Sequence, residues 1–229
     1  MTKRGHQIFN VVLVFAFIYN IAFTYLLFWP ADFVNTIMHA GTFNIAWHLI
    51  CIFAISYAAS LLPDHDIVID LLLDKKKRQL VLYEIFHHYE VYLLTLFIYA
   101  PLLAVFLLML LVLPRKYQQA IVKHRGFSHS LLGLLFFTGL AYLTYPISFA
   151  RLLCTKQIFL VAFLLGYAGH IIADMMTYSG VHLLFPLYKK YTLKYATDND
   201  RALSLGIKYI IVISSIYTLV IWAIWMYIR

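Results

Sequence analysis

An all-α, polytopic membrane fold is predicted by three observations. Of the 229 residues, 63% are hydrophobic and only 12% are charged, whereas a soluble domain carries roughly a quarter of charged residues. The apolar residues gather in runs of about 20, enough to cross a hydrocarbon core as helix. Those runs lack the period-two alternation of a barrel strand. In lipid a segment must satisfy its own backbone amides, so each run is read as a helix.

The runs fall at residues 8–29, 43–63, 91–113, 130–149, 157–176 and 207–228, giving five or six transmembrane or re-entrant helices in one bundle. The first follows Lys3 and Arg4 but is longer than a signal-peptide core and has no small-x-small cleavage site after it, so it is expected to be retained. No linker, low-complexity tract or repeat divides the chain, and residues 1–229 read as a single membrane-embedded domain. Cys51 and Cys154 lie in or beside apolar segments without paired spacing and read as packing residues. The net charge of +8 is the excess that membrane chains place in cytoplasmic loops and against anionic headgroups. No nucleic-acid partner is expected; the lipid bilayer is the expected partner.

Loop charge also bears on topology. If every run crosses once from a cytoplasmic N-terminus, the basic residues of 115–125 and 189–201 face outward, against the positive-inside bias. If the 91–113 region makes no single net crossing, being re-entrant or paired with the preceding stretch and bent near Pro101, nearly all basic loops face the cytoplasm. The polar helix ends then share that side.

Those ends carry the chemistry. His6, Asp64 with Asp66, His124 with His129, and His170 with Asp174 are imidazoles and carboxylates, the ligands of zinc and manganese. In "GYAGHIIADMM" (166–176) His170 and Asp174 stand four apart on one helical face. A carboxylate this close to a bilayer is costly unless something compensates for it. In "LLPDHD" (61–66) two carboxylates stand two apart after a helix end, and a divalent cation relieves their repulsion. In "HRGFSHS" (124–130) the five-residue spacing of the histidines predicts a bent loop with a tight turn at Gly126, entering the next helix with Ser128 or Ser130 near its N-cap. Arg125 and a helix N-terminus there suit a phosphate-bearing substrate. The "GFSHS" stretch is a poor serine-hydrolase elbow, since its last position is Ser130 and no strand precedes it. His48, well inside a run, reads as a packing or hydrogen-bonding residue.

Taken in order, "RGH" near the N-terminus, "LLPDHD", "HRGFSHS" and "GYAGHIIADMMTYSGVHLLFP" resemble the YdjM-type family of predicted inner-membrane metal-dependent hydrolases. The resemblance implies that His6, Asp64, Asp66, His124, His129, His170 and Asp174 are metal positions. Through Gly166, His170 and Asp174 it extends remotely to zinc-dependent phospholipase C and single-strand nuclease enzymes, implying zinc and phosphate-ester chemistry in a bacterial inner membrane. The chain departs from the family pattern at Ile67, where a histidine is expected and His65 is the available substitute, at Tyr178 and His182, and in the long apolar stretch between the second and third motifs.

The function expected is a divalent-metal hydrolase, zinc before manganese, acting on an amphiphilic or phosphate-bearing substrate from the cytoplasmic side. Asp64, Asp66, His129, His170 and Asp174 are the expected ligands, with His6 and His124 as ligands or supports. Asp64 or Asp66 orients water, and Arg125 stabilises phosphate charge. Two alternatives remain open: a metal or proton transporter, which needs ligands through the membrane depth, and a purely structural ion with a closed ligand set.

Overall fold

A computed structural model describes residues 3–29, 42–65, 89–122, 125–187, 189–193 and 199–228. The regular structure among them is helical: α1 (Lys3–Phe28), α2 (Thr42–Ala59), α3 (Tyr89–Val112), α4 (Arg115–Val122), α5 (Leu131–Thr144), the short α6 (Ala150–Leu153), α7 (Lys156–Met175) and α8 (Asn199–Ile228). Turns of 3-10 helix at Phe127–His129 and Tyr145–Ile147 flank α5. One isolated antiparallel bridge joins Val181 to Tyr191. The four spans within α1, α3, α7 and α8 are long and apolar enough to cross a membrane, while Asn44–Ala59 and Leu131–Ile147 form shorter apolar helices.

The bundle is built around α7. Its span is 56% buried, against 6% for those of α1 and α8, which makes α7 the centre and α1 with α8 an outer pair. Lipid tails are as apolar as leucine, so close packing and interhelical hydrogen bonds, rather than escape from water, hold such helices together. Small residues permit the approach: a Cβ on Gly166 of α7 would lie 2.1 Å from the Ser56 carbonyl oxygen of α2. Asn10 of α1 donates to the Ser56 backbone oxygen at 2.9 Å and to its Oγ at 2.8 Å. The Tyr99 hydroxyl of α3 donates to the Ile55 carbonyl at 2.9 Å. An aromatic column of Tyr99, Phe159, Phe163 and Tyr167 fills the centre.

Contacts fix the direction of each helix. α1 starts beside Ala173 and Met176 through Phe9 and ends beside Tyr217 through Thr24, so α1 and α8 run in parallel. α2 returns, ending near Asp64. α3 begins at the opposite end, where Phe97 meets Phe149, and comes back past Phe137 through Phe106. Asp64 and His129 lie 3.6 Å apart, so the intervening chain makes no net passage across the bundle. The link between α2 and α3, residues 66–88 with the basic 74–79 cluster, lies outside the described residues.

The break expected near Pro101 does not occur. α3 is one helix of 24 residues with Pro101 inside it. The proline removes the donor for the Phe97 carbonyl, a loss membrane helices tolerate where neighbours or local adjustment satisfy the freed group. Cys51 and Cys154 are buried free thiols, as expected of packing residues. Burial, and secondarily the Cys51 thiol, push Cys154 up to about 12, so it remains protonated at neutral pH.

α5 starts at Ser130, whose Oγ accepts from the Gly133 amide at 3.0 Å and donates to the Phe127 carbonyl at 2.6 Å. Replacing Ser130 by Ala removes both bonds and is expected to cost about 1 kcal/mol. A fall of roughly 2–4 °C in the thermal midpoint of purified protein is the expected reading, and an unchanged midpoint would refute the cap assignment.

Candidate metal centre

Three helix ends converge. Asp64 lies just beyond α2, His129 in the 3-10 turn before α5, and His170 and Asp174 in the last turns of α7. The four-residue spacing stacks the latter two, with His170 Nε2 3.6 Å from Asp174 Oδ2. His129 Nε2 is 3.2 Å from His170 Nε2, 3.3 Å from Asp174 Oδ2 and 3.6 Å from Asp64 Oδ1. His170 Nε2 is 3.5 Å from the same Asp64 oxygen.

Five separations among four donor atoms thus fall between 3.2 and 3.6 Å. Ligands about 2.0–2.1 Å from a tetrahedral zinc stand about 3.3–3.4 Å from one another. Three of those donors, Asp64 Oδ1, His129 Nε2 and His170 Nε2, stand 3.2–3.6 Å from one another, a spacing that suits three ligands of one tetrahedral cation. Among the described residues, Asp64, His129 and His170 form a group able to hold a metal ion, and Asp174 Oδ2 stands 3.3 and 3.6 Å from the two histidines. His129, His170 and Asp174 are essentially buried, while the Asp64 side chain is 13% exposed and marks the side open to solvent.

Neighbours set each donor. Ser128 Oγ pairs with His129 Nδ1 at 3.0 Å; with Nδ1–H donating, Nε2 presents its lone pair to the centre. The Tyr167 hydroxyl donates to the Ser128 carbonyl at 2.6 Å and pins that turn to α7. Arg125 donates through Nη2 to Asp174 Oδ1 at 3.0 Å. Asp174 stands at a helix C-terminus, the end that disfavours negative charge, and Arg125 offsets part of that cost. Thr177 Oγ1 donates to the Asp174 backbone oxygen at 2.7 Å and lies 3.4 Å from Arg125 Nη1.

The turn expected at Gly126 is present and takes in Arg125: the glycine's ψ of −118° lies outside the ranges other residues favour. Arg125 itself takes the left-handed conformation, φ 61°, whereas Gly126 has φ −89°. A non-glycine residue there costs about 1–2 kcal/mol, and the buried ion pair to Asp174 holds it in place.

His65 is not one of the three residues grouped above; its Nδ1 engages the Leu61 carbonyl at 2.8 Å. Asp66, Ile67 and His124 lie outside the described residues. His6 falls in the first turn of α1, and its side chain is also outside them. His48 sits near the opposite end of α2, beside Trp47, whose indole bonds the Leu153 carbonyl. Tyr178 is exposed and His182 half-buried in the segment after α7. Sequence reading did not single out Ser128 as a partner of His129, nor Tyr167. A hydroxyl adjoining a candidate ligand, and a tyrosine in an apolar helix whose hydroxyl must find an acceptor, were the available signals.

Residues 1–228 match the model of the YdjM inner membrane protein family. The chain is similar to inner membrane protein YdjM of Escherichia coli (strain K12) and of Shigella flexneri, 39% identical over 70 residues in each case. The aligned region covers 31% of this chain and 34% of each relative, so the chain spans about a third of their length. No solved structure matches.

Proposed function

The chain belongs to the YdjM inner membrane protein family, and from that premise we propose that it is a zinc-dependent hydrolase of phosphate esters carried by membrane amphiphiles. The observation that carries the reading is the Asp64, His129 and His170 group, its donor atoms 3.2–3.6 Å from one another, in a chain otherwise built of apolar helices. An octahedral site at magnesium distances would bring neighbouring donors to about 2.9 Å, and two imidazoles suit zinc better than manganese.

His129, His170 and Asp174 are proposed as the permanent ligands. All three are buried, and Arg125 immobilises Asp174 through its other oxygen. Asp64, at the solvent side, is proposed to orient a water molecule beside the ion and accept its proton. Two histidines and one carboxylate with an open position are a catalytic pattern, whereas four protein ligands make a structural one. The bound ion would lower the pKa of water toward neutrality and polarise a phosphoryl oxygen. Arg125 places positive charge beside the position of the developing phosphate charge. Asp66, His124 and His6 are proposed as further ligands or water-orienting groups at the same helix ends.

Support for phosphate-ester chemistry comes from Arg125, the α5 N-terminus and the Gly166, His170, Asp174 spacing. Support for a cytoplasmic site comes from charge: Arg115, Lys116, Lys189 and Lys190 lie at the end that holds the centre, Arg151 and Lys156 at the other. The structural reading is the second one, because Asp64, His129, His170 and Asp174 together offer four protein donors, the number of a closed structural site.

Asp64→Asn separates the two. Catalysis predicts retained zinc and hydrolysis of bis(p-nitrophenyl) phosphate or phosphatidylglycerol lowered roughly 10²–10⁴-fold. A structural ion predicts no hydrolysis by the wild type and only a lower thermal midpoint in the variant. Zinc flux into liposomes without hydrolysis would assign the centre to transport instead.

A further inference from the structure

At the end of the bundle away from the metal centre, α3 and the segment 146–152 enclose a hollow of about 740 Å³. Lys156 at the start of α7 and Asp174 near its end are about 27 Å of helix rise apart, so the hollow lies clear of the donors. Leu96, Phe97 and Pro101 form one wall, and Ile147, Phe149 and Leu152 the other. The Phe97 and Phe149 rings join the two walls at a centroid distance of 3.9 Å. Ile147 and Leu152 are 73% and 74% exposed, so the mouth opens on lipid rather than on another helix of this chain.

Two further lining residues are polar, and they differ. Ser148 is buried, and its hydroxyl donates to the Tyr145 carbonyl at 2.8 Å. Arg151 is exposed. Its Nη1 donates to the Pro146 carbonyl at 3.3 Å, which ties the guanidinium to the wall of the hollow, since Pro146 lines it too. Among the described side chains no carboxylate pairs with Arg151, and most of its five N–H donors are left for a ligand.

The chemistry that completes such a site joins an anion to an apolar chain. An arginine at the membrane boundary lays its stem along apolar surface and holds its head among the headgroups. Its planar fork matches two phosphate oxygens. Beneath it the wall from Leu96 to Pro101 covers about 7–8 Å of helix rise, room for the upper part of an acyl chain. Free phosphate would meet the guanidinium and leave the apolar walls without a partner.

We propose that this hollow binds an anionic phospholipid of the leaflet opposite the metal centre, its phosphodiester on the Arg151 guanidinium and the upper part of one acyl chain between α3 and the 146–152 segment. The site is independent of the hydrolase reading, and its lipid is a bound ligand, not the substrate.

The test uses wild-type protein in vesicles of phosphatidylcholine holding a small, constant share of phosphatidylglycerol with a diazirine on one acyl chain near its ester. After irradiation, adducts are mapped by peptide mass spectrometry while unlabelled phosphatidylglycerol replaces part of the phosphatidylcholine. A saturable site predicts that labelling of 96–101 and 147–152 falls, while labelling of the exposed Leu135 and Leu143 of α5 stays constant. Arg151→Gln should weaken the competition roughly ten-fold, the effect of one charge-assisted hydrogen bond. Ala100→Trp fills the hollow and keeps the charge, and should bring its labelling toward the α5 level. Lys156→Gln should change nothing: that ammonium stands 3.1 Å from the Tyr142 ring centroid and does not line the hollow.

Labelling of the hollow that ignores unlabelled phosphatidylglycerol overturns the proposal, and so does a loss in Lys156→Gln equal to that in Arg151→Gln. Displacement of the label by inorganic phosphate alone, or a hollow shielded from label by a second copy or another protein, overturns it as well. The wild-type competition decides the matter even if a variant misfolds.

Discussion

Purified His170→Ala is expected to carry zinc at background level where the wild type carries it stoichiometrically. His170 Nε2 lies 3.2–3.6 Å from each of the other three donors, so its loss opens the cluster from within and no described side chain replaces it. Removing a hydrogen-bonding support of a ligand typically weakens metal binding 10–100-fold, and removing the ligand itself should cost more. Ser128→Ala therefore serves as the graded comparison: it deprives His129 Nδ1 of its partner but spares all four donors, and should fall in the 10–100-fold range. The metal-free protein keeps two carboxylates facing one another across two imidazoles, so His170→Ala should also abolish the rise in thermal midpoint that added zinc gives the wild type. Metal analysis by mass spectrometry, with the midpoint measured with and without zinc, reads both. Full zinc occupancy in His170→Ala would remove this cluster as the binding site.

The donors were legible because membrane helices make polar residues expensive. A chain that spends so few charges yet keeps Asp174 four residues beyond His170 at a helix end must be compensating for it, and Asp64 and His129 stood out against apolar flanks for the same reason. The arrangement that completes the centre was less legible. Ser128 and Tyr167 are ordinary residues whose role arises only when the 3-10 turn before α5 meets α7. The left-handed conformation of Arg125 was not legible either, since it accompanies an ion pair to a residue 49 positions away. Pro101 misled in the same manner: a local helix breaker lies within a continuous α3, where tertiary packing overrides intrinsic propensity. The 91–113 region, expected to make no single net crossing, holds a span, Thr95–Val112, long and apolar enough to cross a membrane.

Gly166→Ala is expected to disrupt the bundle more than any other single methyl group added at the described glycines of α7. Its Cβ would stand 2.1 Å from the Ser56 carbonyl oxygen, 2.9 Å from that carbonyl carbon and 2.8 Å from Ala59 Cβ. Two of these atoms are backbone, so no rotamer change relieves the clash and α2 and α7 must move apart. A radial gap of about 0.5–1 Å already forfeits a quarter to a half of each dispersion contact along the seam. Those contacts are what hold the helices together where water expulsion contributes little. The same displacement strains the Asn10 bonds to Ser56 and draws His170 and Asp174 away from Asp64, since α7 supplies the first two and the α2 end the third. The expected loss is about 1–3 kcal/mol or more in stability, together with weaker zinc binding. Gly139→Ala is the control: its Cβ meets nothing within 4 Å, and by helix propensity it should be neutral or stabilising by up to about 1 kcal/mol. Thermal midpoints and zinc titrations of the two alanine variants test this directly. If Gly166→Ala matched Gly139→Ala in both, the close α2–α7 approach would not be what brings Asp64 to the histidines.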